Sequence, residues 1–343
     1  MRVYFVEPPA AKRIGGLDAA VRALEKALRD LGLDVSNQSP VKAQRGDVIH
    51  FHALWEPSHA HISRTLARSG AAMIVSPHGM LEPWAWRHRW WKKWPYYWLV
   101  ERQHLHRANA LLATAPPEAQ RLKHFLPTKR VATIPLGLTE ESTQENYADA
   151  RRSLGWSADE TILLSLSRLH PKKGLDLLLH ALSTIDVPPR ARLVVVGGGD
   201  RQYLANLRNI ADRLRDRLPQ IDWIGEVWGP ARWPYFEGAD LFCLPTHSEN
   251  FGLAVLEACS VGTASLTTTT TPWKEWLANG RGLIAEPTIE SIAAKLDTYF
   301  QLSGDYARNR SALASWTRSE FSWEALAPRY AELYRSLIST EEQ

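Results

Sequence analysis

Cysteine is nearly absent, with Cys243 and Cys259 the two in 343 residues. One falls in a strand-like run and one in a helix-like run, so both read as small core residues, a usage that fits a reducing cytoplasm. No run of about 18 apolar residues occurs, which excludes a membrane-spanning helix. The opening, Met1-Arg2-Val3-Tyr4-Phe5-Val6-Glu7-Pro8-Pro9, is a short strand interrupted by Glu and Pro rather than a signal peptide. Three His-x-His pairs (His50/His52, His59/His61, His104/His106) lack Cys or carboxylate partners at ligand spacing, so zinc is not expected. The dinucleotide fingerprint G-x-G-x-x-G is missing as well. Gly197-Gly198-Gly199-Asp200 follows a strand-like run, but without that spacing or a companion acid, and reads as a tight strand-to-helix turn.

What is present is a balanced chain, 45% hydrophobic and 23% charged, with a net charge of +4. That is the composition of a soluble globular enzyme, and the length suits two domains of about 150–170 residues. Short apolar runs alternate with helical patterns, the mark of parallel α/β architecture. Strands are predicted at Arg2–Val6, Asp47–Phe51, Ala71–Ser76, Ala110–Ala113 and Arg130–Ile134 in the first half. Those of the second half are Thr161–Ser165, Arg192–Val196, Asp222–Ile224, Asp240–Leu244, Ala264–Thr267 and Leu283–Ala285. Leu17, Val21, Leu24 and Leu28 recur at helical spacing and Gly32 ends the pattern, which marks the first helix. The polar stretch 139–146 reads as a linker. The domains are therefore placed at 1–145 and 146–320, with a closing helix in 321–343 that packs on the first domain or stays with the second.

The segment His247-Ser248-Glu249-Asn250-Phe251-Gly252-Leu253-Ala254-Val255-Leu256-Glu257 carries the most chemistry. It runs from a buried strand into a helix, and a helix start presents unpaired N–H groups suited to phosphate. Glu249 lies on the loop at that start and Glu257 more than a turn into the helix. The residues alone also fit an exposed loop Glu and a helix-surface Glu. The spacing Glu-x-Phe-Gly-x-x-x-x-Glu resembles the nucleotide-sugar motif of the GT4-like retaining glycosyltransferases, of GT-B fold. The resemblance covers nearly the whole chain and implies two Rossmann-like domains whose parallel sheets face each other across a cleft. It implies that Glu249 and the backbone of Asn250, Phe251, Gly252 and Leu253 hold the transferred sugar, and that Glu257 holds the ribose.

Other segments extend the likeness. Arg168 and Lys173 lie five apart across a turn marked by Pro171 and Gly174, so both can reach one anion, although a solvated basic loop has the same composition. The family places an Arg and a Lys here on the donor diphosphate, often after a Gly where this chain has Ser167. Gly15 and Gly16 resemble its N-terminal glycine loop, and His78, after a strand, resembles its histidine near the transferred sugar. Gly225 and Val227 fall where the family binds the base through backbone contacts. Where many relatives carry a Gly-Gly turn, this chain has Thr267-Thr268-Thr269-Thr270-Thr271-Pro272-Trp273, whose hydroxyls are candidate substitutes as donors to the diphosphate. No Asp-x-Asp pair occurs, so no catalytic metal and no cofactor are expected.

The segment Pro83–Trp98 interleaves Trp with Arg and Lys. It fits a membrane interface, stacking on single-stranded nucleic acid, or a helix with a buried aromatic face. The resemblance favours a saccharide acceptor, lipid-linked in the bacterial surface-polysaccharide subgroup, on the cytoplasmic side of the membrane, and no nucleic-acid partner. The expected activity is retaining transfer from a nucleoside diphosphate sugar. Base, sugar and acceptor are not legible. A nicotinamide-dependent oxidoreductase and a non-catalytic sugar-nucleotide or RNA-binding protein are the alternatives.

Overall fold

A computed structural model describes residues 1–9, 15–87, 90–138 and 146–339. The linker expected at 139–146 lies, apart from Asn146, outside the described residues, as do His88 and Arg89 of the Trp-rich segment. The chain forms two compact units, Met1–Thr139 with Glu320–Gln343, and Glu140–Ser319.

The first unit is built on β1 (Arg2–Val6), β2 (Asp34–Ser36), β3 (Val48–His52), β4 (Ala72–Ser76), β5 (Ala110–Ala113) and β6 (Arg130–Thr133). They form one sheet in the order β2-β1-β3-β4-β5-β6, and every pairing is parallel. Successive side chains serve opposite faces, so Val3 and Phe5 enter one core cluster and Tyr4 and Val6 the other. A sheet covered on both faces needs continuous apolar strands, which is why these runs are legible. The three-residue β2 was not. With Val35 its one buried residue it has no periodicity, and it holds the sheet edge beside β1, where Arg2 meets Asp34 at 2.5 Å.

The first helix, Gly15–Asp30, and the last, Trp323–Ser339, share one face of this sheet. Leu326, Tyr330, Ala331, Tyr334 and Leu337 of the last helix are buried at helical spacing beside Val21, Leu24 and Leu28 of the first. Each large side chain so buried contributes roughly 1.5–3 kcal/mol. The last helix is also fastened at its start, where the Leu138 amide donates to the Phe321 carbonyl at 3.0 Å. Gly137 has to be small there, because a Cβ would sit 2.7 Å from the Trp323 ring.

The Trp-rich segment forms helices Pro83–Arg87 and Trp90–Tyr96, a five-residue π-helical turn Tyr97–Glu101, and helix Arg102–Arg107. Its aromatics divide. Tyr97 is buried and packs on Trp86, whereas Trp90, Trp91, Trp94, Trp98 and Leu99 are 49–72% exposed. No helix among the described residues is long and apolar enough to cross a membrane.

The second unit has β7 (Thr161–Leu166), β8 (Ala191–Val196), β9 (Gln220–Gly225), β10 (Leu241–Leu244), β11 (Ala264–Thr268) and β12 (Leu283–Ala285). Their order is β12-β11-β10-β7-β8-β9, again all parallel. The chain starts in the middle, builds outward to β9, then returns to lay β10 against β7. The loops leaving β7 and β10 therefore diverge to opposite faces, and the crevice between them is where open α/β sheets bind ligands.

Candidate functional site

Backbone contacts bring the loops after β7 and β10 together. The His247 amide and the Thr246 hydroxyl both donate to the Lys172 carbonyl, at 2.8 Å each. Gly174 adopts a φ of +68°, and a Cβ there would stand 2.1 Å from the Pro245 carbonyl oxygen, so the approach depends on glycine. Across this seam the Lys173 ammonium meets Glu249, Nζ to Oε2 at 2.6 Å, with side chains 20% and 15% exposed. Of the residues singled out in the sequence, these two are joined directly.

The other end of the β7 loop pairs with the triple glycine. Ser167 and Leu169 amides donate to the Val196 and Gly198 carbonyls, and the Asp200 amide returns a bond to Leu169. A Cβ on Gly197 would lie 1.9 Å from the Ser167 carbonyl oxygen, and one on Gly199 2.4 Å from that of Leu169. The expected strand-to-helix turn is there, joining β8 to the helix Arg201–Leu214 with Asp200 as its N-cap, and Gly197 and Gly199 in addition let two backbones run side by side beneath Arg168. Its guanidinium is exposed and forms no ion pair among the described residues. Gly225 joins the same group, its carbonyl accepting from the Gly197 amide at 2.7 Å, with Val227 two residues on.

The helix Leu253–Ser260 is capped by Gly252 at φ +85°, packed against Trp273 and the Glu249 side chain. The Trp273 indole donates to the Phe251 carbonyl at 2.6 Å, which fixes the turn through Asn250 and Phe251. The threonine run does not offer its hydroxyls outward. Thr268 and Thr270 donate to the Thr246 carbonyl, Thr267 to Leu244, Thr271 to Thr268, and Thr269 to the Glu286 carboxylate. A hydroxyl has one proton to donate. These protons are engaged within the fold, and the bonds from Thr267, Thr268 and Thr270 to the Leu244 and Thr246 carbonyls hold the chain that leads to Glu249.

Glu257 is buried at 8% exposure and pairs with Arg232 at 3.0 Å. Sequence reasoning missed Arg232, which lies in no motif and 25 positions from its partner.

In the first unit, His78 follows β4 with a φ of +50°. Its turn is pinned by Glu118, buried and also missed, which accepts from the Gly79 amide at 2.6 Å and from the Thr114 amide and hydroxyl. The His78 ring stacks on His52, Nε2 to Nδ1 at 3.2 Å. Its neighbour His50 lies between the Ser76 hydroxyl and the Tyr334 phenol. Gly15 and Gly16 are the first residues of the helix after β1, at the same carboxyl edge of the sheet. Among the described residues, no three His, Cys, Asp or Glu side chains gather as a metal site.

Two family models divide the chain between them: Glycosyltransferase Family 4 matches residues 2–142, and Glycosyl transferases group 1 matches residues 146–313. The chain belongs to the GT4-type glycosyltransferases.

Relatives of this GT4-type chain include the D-inositol 3-phosphate glycosyltransferase of Thermobispora bispora, 31% identical over 70% of this chain and 59% of that protein. The glycogen synthase of Desulfitobacterium hafniense is 31% identical over 51% of this chain and 39% of that enzyme. The chain thus spans from two-fifths to three-fifths of the length of these relatives. Among solved structures, Anabaena Alr3699/HepE in complex with UDP matches 98% of this chain and all of its own, with a TM-score of 0.75 at 17% identity. The sucrose-phosphate synthase of Thermosynechococcus elongatus matches 99% of both chains, with a TM-score of 0.74 at 19% identity. At these identities the structures establish the GT-B fold.

Burial depresses the basicity of six rings in the first unit: His50, His52, His59, His78 (to about 4), His104 (to about 3) and His106. An unfolded chain protonates such rings near pH 6.5 (about the ordinary histidine value), so below that it binds more protons than the folded unit. Burial pushes Glu101 up to about 7 and Glu118 upward, and these two act in the opposite sense, favouring the folded state as pH falls. With six rings against two carboxyls, thermal unfolding should shift to lower temperature as pH drops from about 6.5 to 4. Calorimetry across that range checks it, and an unfolding temperature that stays constant or rises contradicts it.

Proposed function

We propose that this chain transfers a sugar from a nucleoside diphosphate sugar to a saccharide hydroxyl with retention of anomeric configuration. The observation that carries the reading is the Lys173–Glu249 pair at the β7/β10 crevice, beside the helix start at Gly252. A carboxylate suits sugar hydroxyls, a cation and first-turn amides suit phosphate, and here both stand on adjoining loops. The family membership and the relatives' names, which state glycosyl transfer to inositol phosphate and synthesis of glycogen, support the reaction class.

In the proposed step, the bond between the anomeric carbon and the diphosphate oxygen breaks. The acceptor oxygen bonds to the same face of that carbon, and its proton passes to the departing diphosphate oxygen. Arg168 and Lys173 stabilise the charge that develops there, the role for which fixed cations are most effective. Glu249, with the backbone of Asn250 to Leu253, orients the sugar. Glu257 holds the ribose and Gly225 and Val227 border the base, while in the first unit His78, Gly15 and Gly16, to which the resemblance gives the sugar and acceptor, lie at the carboxyl edge of their own sheet. These residues supply the electrostatics, so the proposal includes no metal and no cofactor. The oxidoreductase alternative rested on the Rossmann-like halves and is disfavoured by the missing glycine fingerprint; Gly197 and Gly199 make room for the Arg168 loop and Gly198 for the Glu226 side chain.

A lipid-linked acceptor at an anionic bilayer forms part of the proposal. It is favoured by Trp90, Trp91, Trp94, Trp98 and Leu99, exposed together, with Lys92 exposed among them and the Arg102 guanidinium 5.1 Å from the Trp98 ring centre. Rings of this kind settle at headgroup depth, and each cation near anionic lipid adds about 1 kcal/mol.

Two experiments test these readings. Incubation with UDP-, GDP- and ADP-sugars and a panel of saccharide acceptors should release nucleoside diphosphate, with product anomeric configuration, read by NMR, matching the donor. Glu249→Ala and Lys173→Ala should each lower turnover at least about a hundredfold while leaving circular dichroism unchanged. Wild-type turnover in either variant, or inversion at the anomeric carbon, contradicts the mechanism, and nucleotide binding without turnover on any acceptor favours a non-catalytic binder. Separately, the protein should float with phosphatidylserine vesicles and not with phosphatidylcholine vesicles, and Trp90→Ala with Trp94→Ala should weaken flotation. Failure to float with anionic vesicles at low salt removes the membrane contact.

A further inference from the structure

We infer that Arg232 is a positioning residue that aims Glu257 at the donor's ribose and fastens the adjoining turn to the same helix. This rests on the donor-site reading above. The guanidinium is held on three sides. Nη2 meets Glu257 Oε1 at 3.0 Å, Nη1 donates to the Gly229 carbonyl at 2.9 Å, and the group lies 5.2 Å from the ring centre of Trp233. Trp233 is 1% exposed, so the surface under the arginine is rigid core. The Arg232 and Glu257 side chains are themselves only 14% and 10% exposed.

A carboxylate so enclosed is stable as an anion only with a paired cation, and the pairing selects its rotamer. With Oε1 bound to Arg232, the plane of the carboxyl and the direction of Oε2 are set before any ligand arrives. The fork of an arginine does this and also bridges to Gly229, which a lysine ammonium on a flexible stem would do less well.

Gly225 and Gly229 have φ of +87° and +58°, and no atom lies within 4 Å of a Cβ placed on either. Between them Trp228 is 72% exposed, its indole 3.3 Å from Glu226. The Gly225 end is fixed as the last residue of β9, its carbonyl accepting from the Gly197 amide, so the Gly229 end takes its position from the Gly229–Arg232–Glu257 bridge. Loss of Arg232 should therefore loosen the base-proximal turn and the ribose carboxylate together.

The test reads ribose recognition rather than activity alone. Calorimetric titration of the full chain with UDP, GDP and ADP, and with their 2′,3′-dideoxy forms, gives a ribose preference for each base. For the base that binds, the wild type should prefer the ribose form by at least about tenfold, the scale of a hydrogen bond to a charged group. Arg232→Met should bring that preference within about threefold, and Arg232→Lys should retain part of it. In a Glu257→Gln background, adding Arg232→Met should change the preference by less than about twofold, because the two act through one contact. With substrate, the donor KM should rise while kcat stays within about threefold. A wild-type ribose preference in Arg232→Met overturns the inference. If no nucleoside diphosphate binds the wild type, or Glu257→Gln leaves the preference intact, the donor-site reading itself fails. Should Arg232→Met not fold, Arg232→Lys in both backgrounds gives the same decision.

Discussion

In the proposed donor site, negative charge next to negative charge is the difficulty that the second unit has to resolve. Two unit charges about 5 Å apart at an effective dielectric of about 20 repel by about 3 kcal/mol, so two carboxylates beside a diphosphate would expel it. Glu249 and Glu257 avoid this because each is already paired, the first with Lys173 at 2.6 Å and the second with Arg232 at 3.0 Å. The cations come from different loops, one leaving β7 and one following β9. Each carboxylate can then accept from hydroxyls without adding net charge near the phosphates. Arg168, exposed and outside any ion pair among the described residues, is the surplus positive charge that the proposed reading sets against the diphosphate.

That pairing depends on backbone proximity, and the backbones approach because glycine stands where a side chain would collide. Gly174 admits the Pro245 carbonyl, and Gly197 and Gly199 admit those of Ser167 and Leu169. Threonine does the complementary work. Thr246, Thr268 and Thr270 close the loop after β10 with hydroxyl-to-carbonyl bonds that would otherwise be left to water. A site built from short connections on a parallel sheet is positioned more tightly than one on long loops, which suits a reaction dependent on orientation.

As short apolar runs, eleven of the twelve strands could be placed from the chain alone, nine of them largely buried and the edge strands β6 and β9 half-exposed. β2 could not, because Asp34-Val35-Ser36 buries one side chain. Glu249, Glu257, Arg168 and Lys173 were visible as motif residues. That Lys173 touches Glu249 was not, since the contact spans 76 positions and follows from strand order rather than spacing. Arg232 and Glu118 had no signal at all, being single charged residues whose roles come from what the fold packs beside them. The threonine run is a related case: its composition shows five hydroxyls, and only geometry shows which groups they bond within the fold.

The central claim is that a nucleoside diphosphate settles at the seam between the loops after β7 and β10. Hydrogen exchange of the backbone, measured with and without saturating UDP, GDP or ADP, addresses it segment by segment. The account predicts that the nucleotide which binds slows exchange in residues 167–174 and 249–254, with smaller effects elsewhere in the second unit. Binding that protects a different region and leaves those two segments unchanged would contradict it.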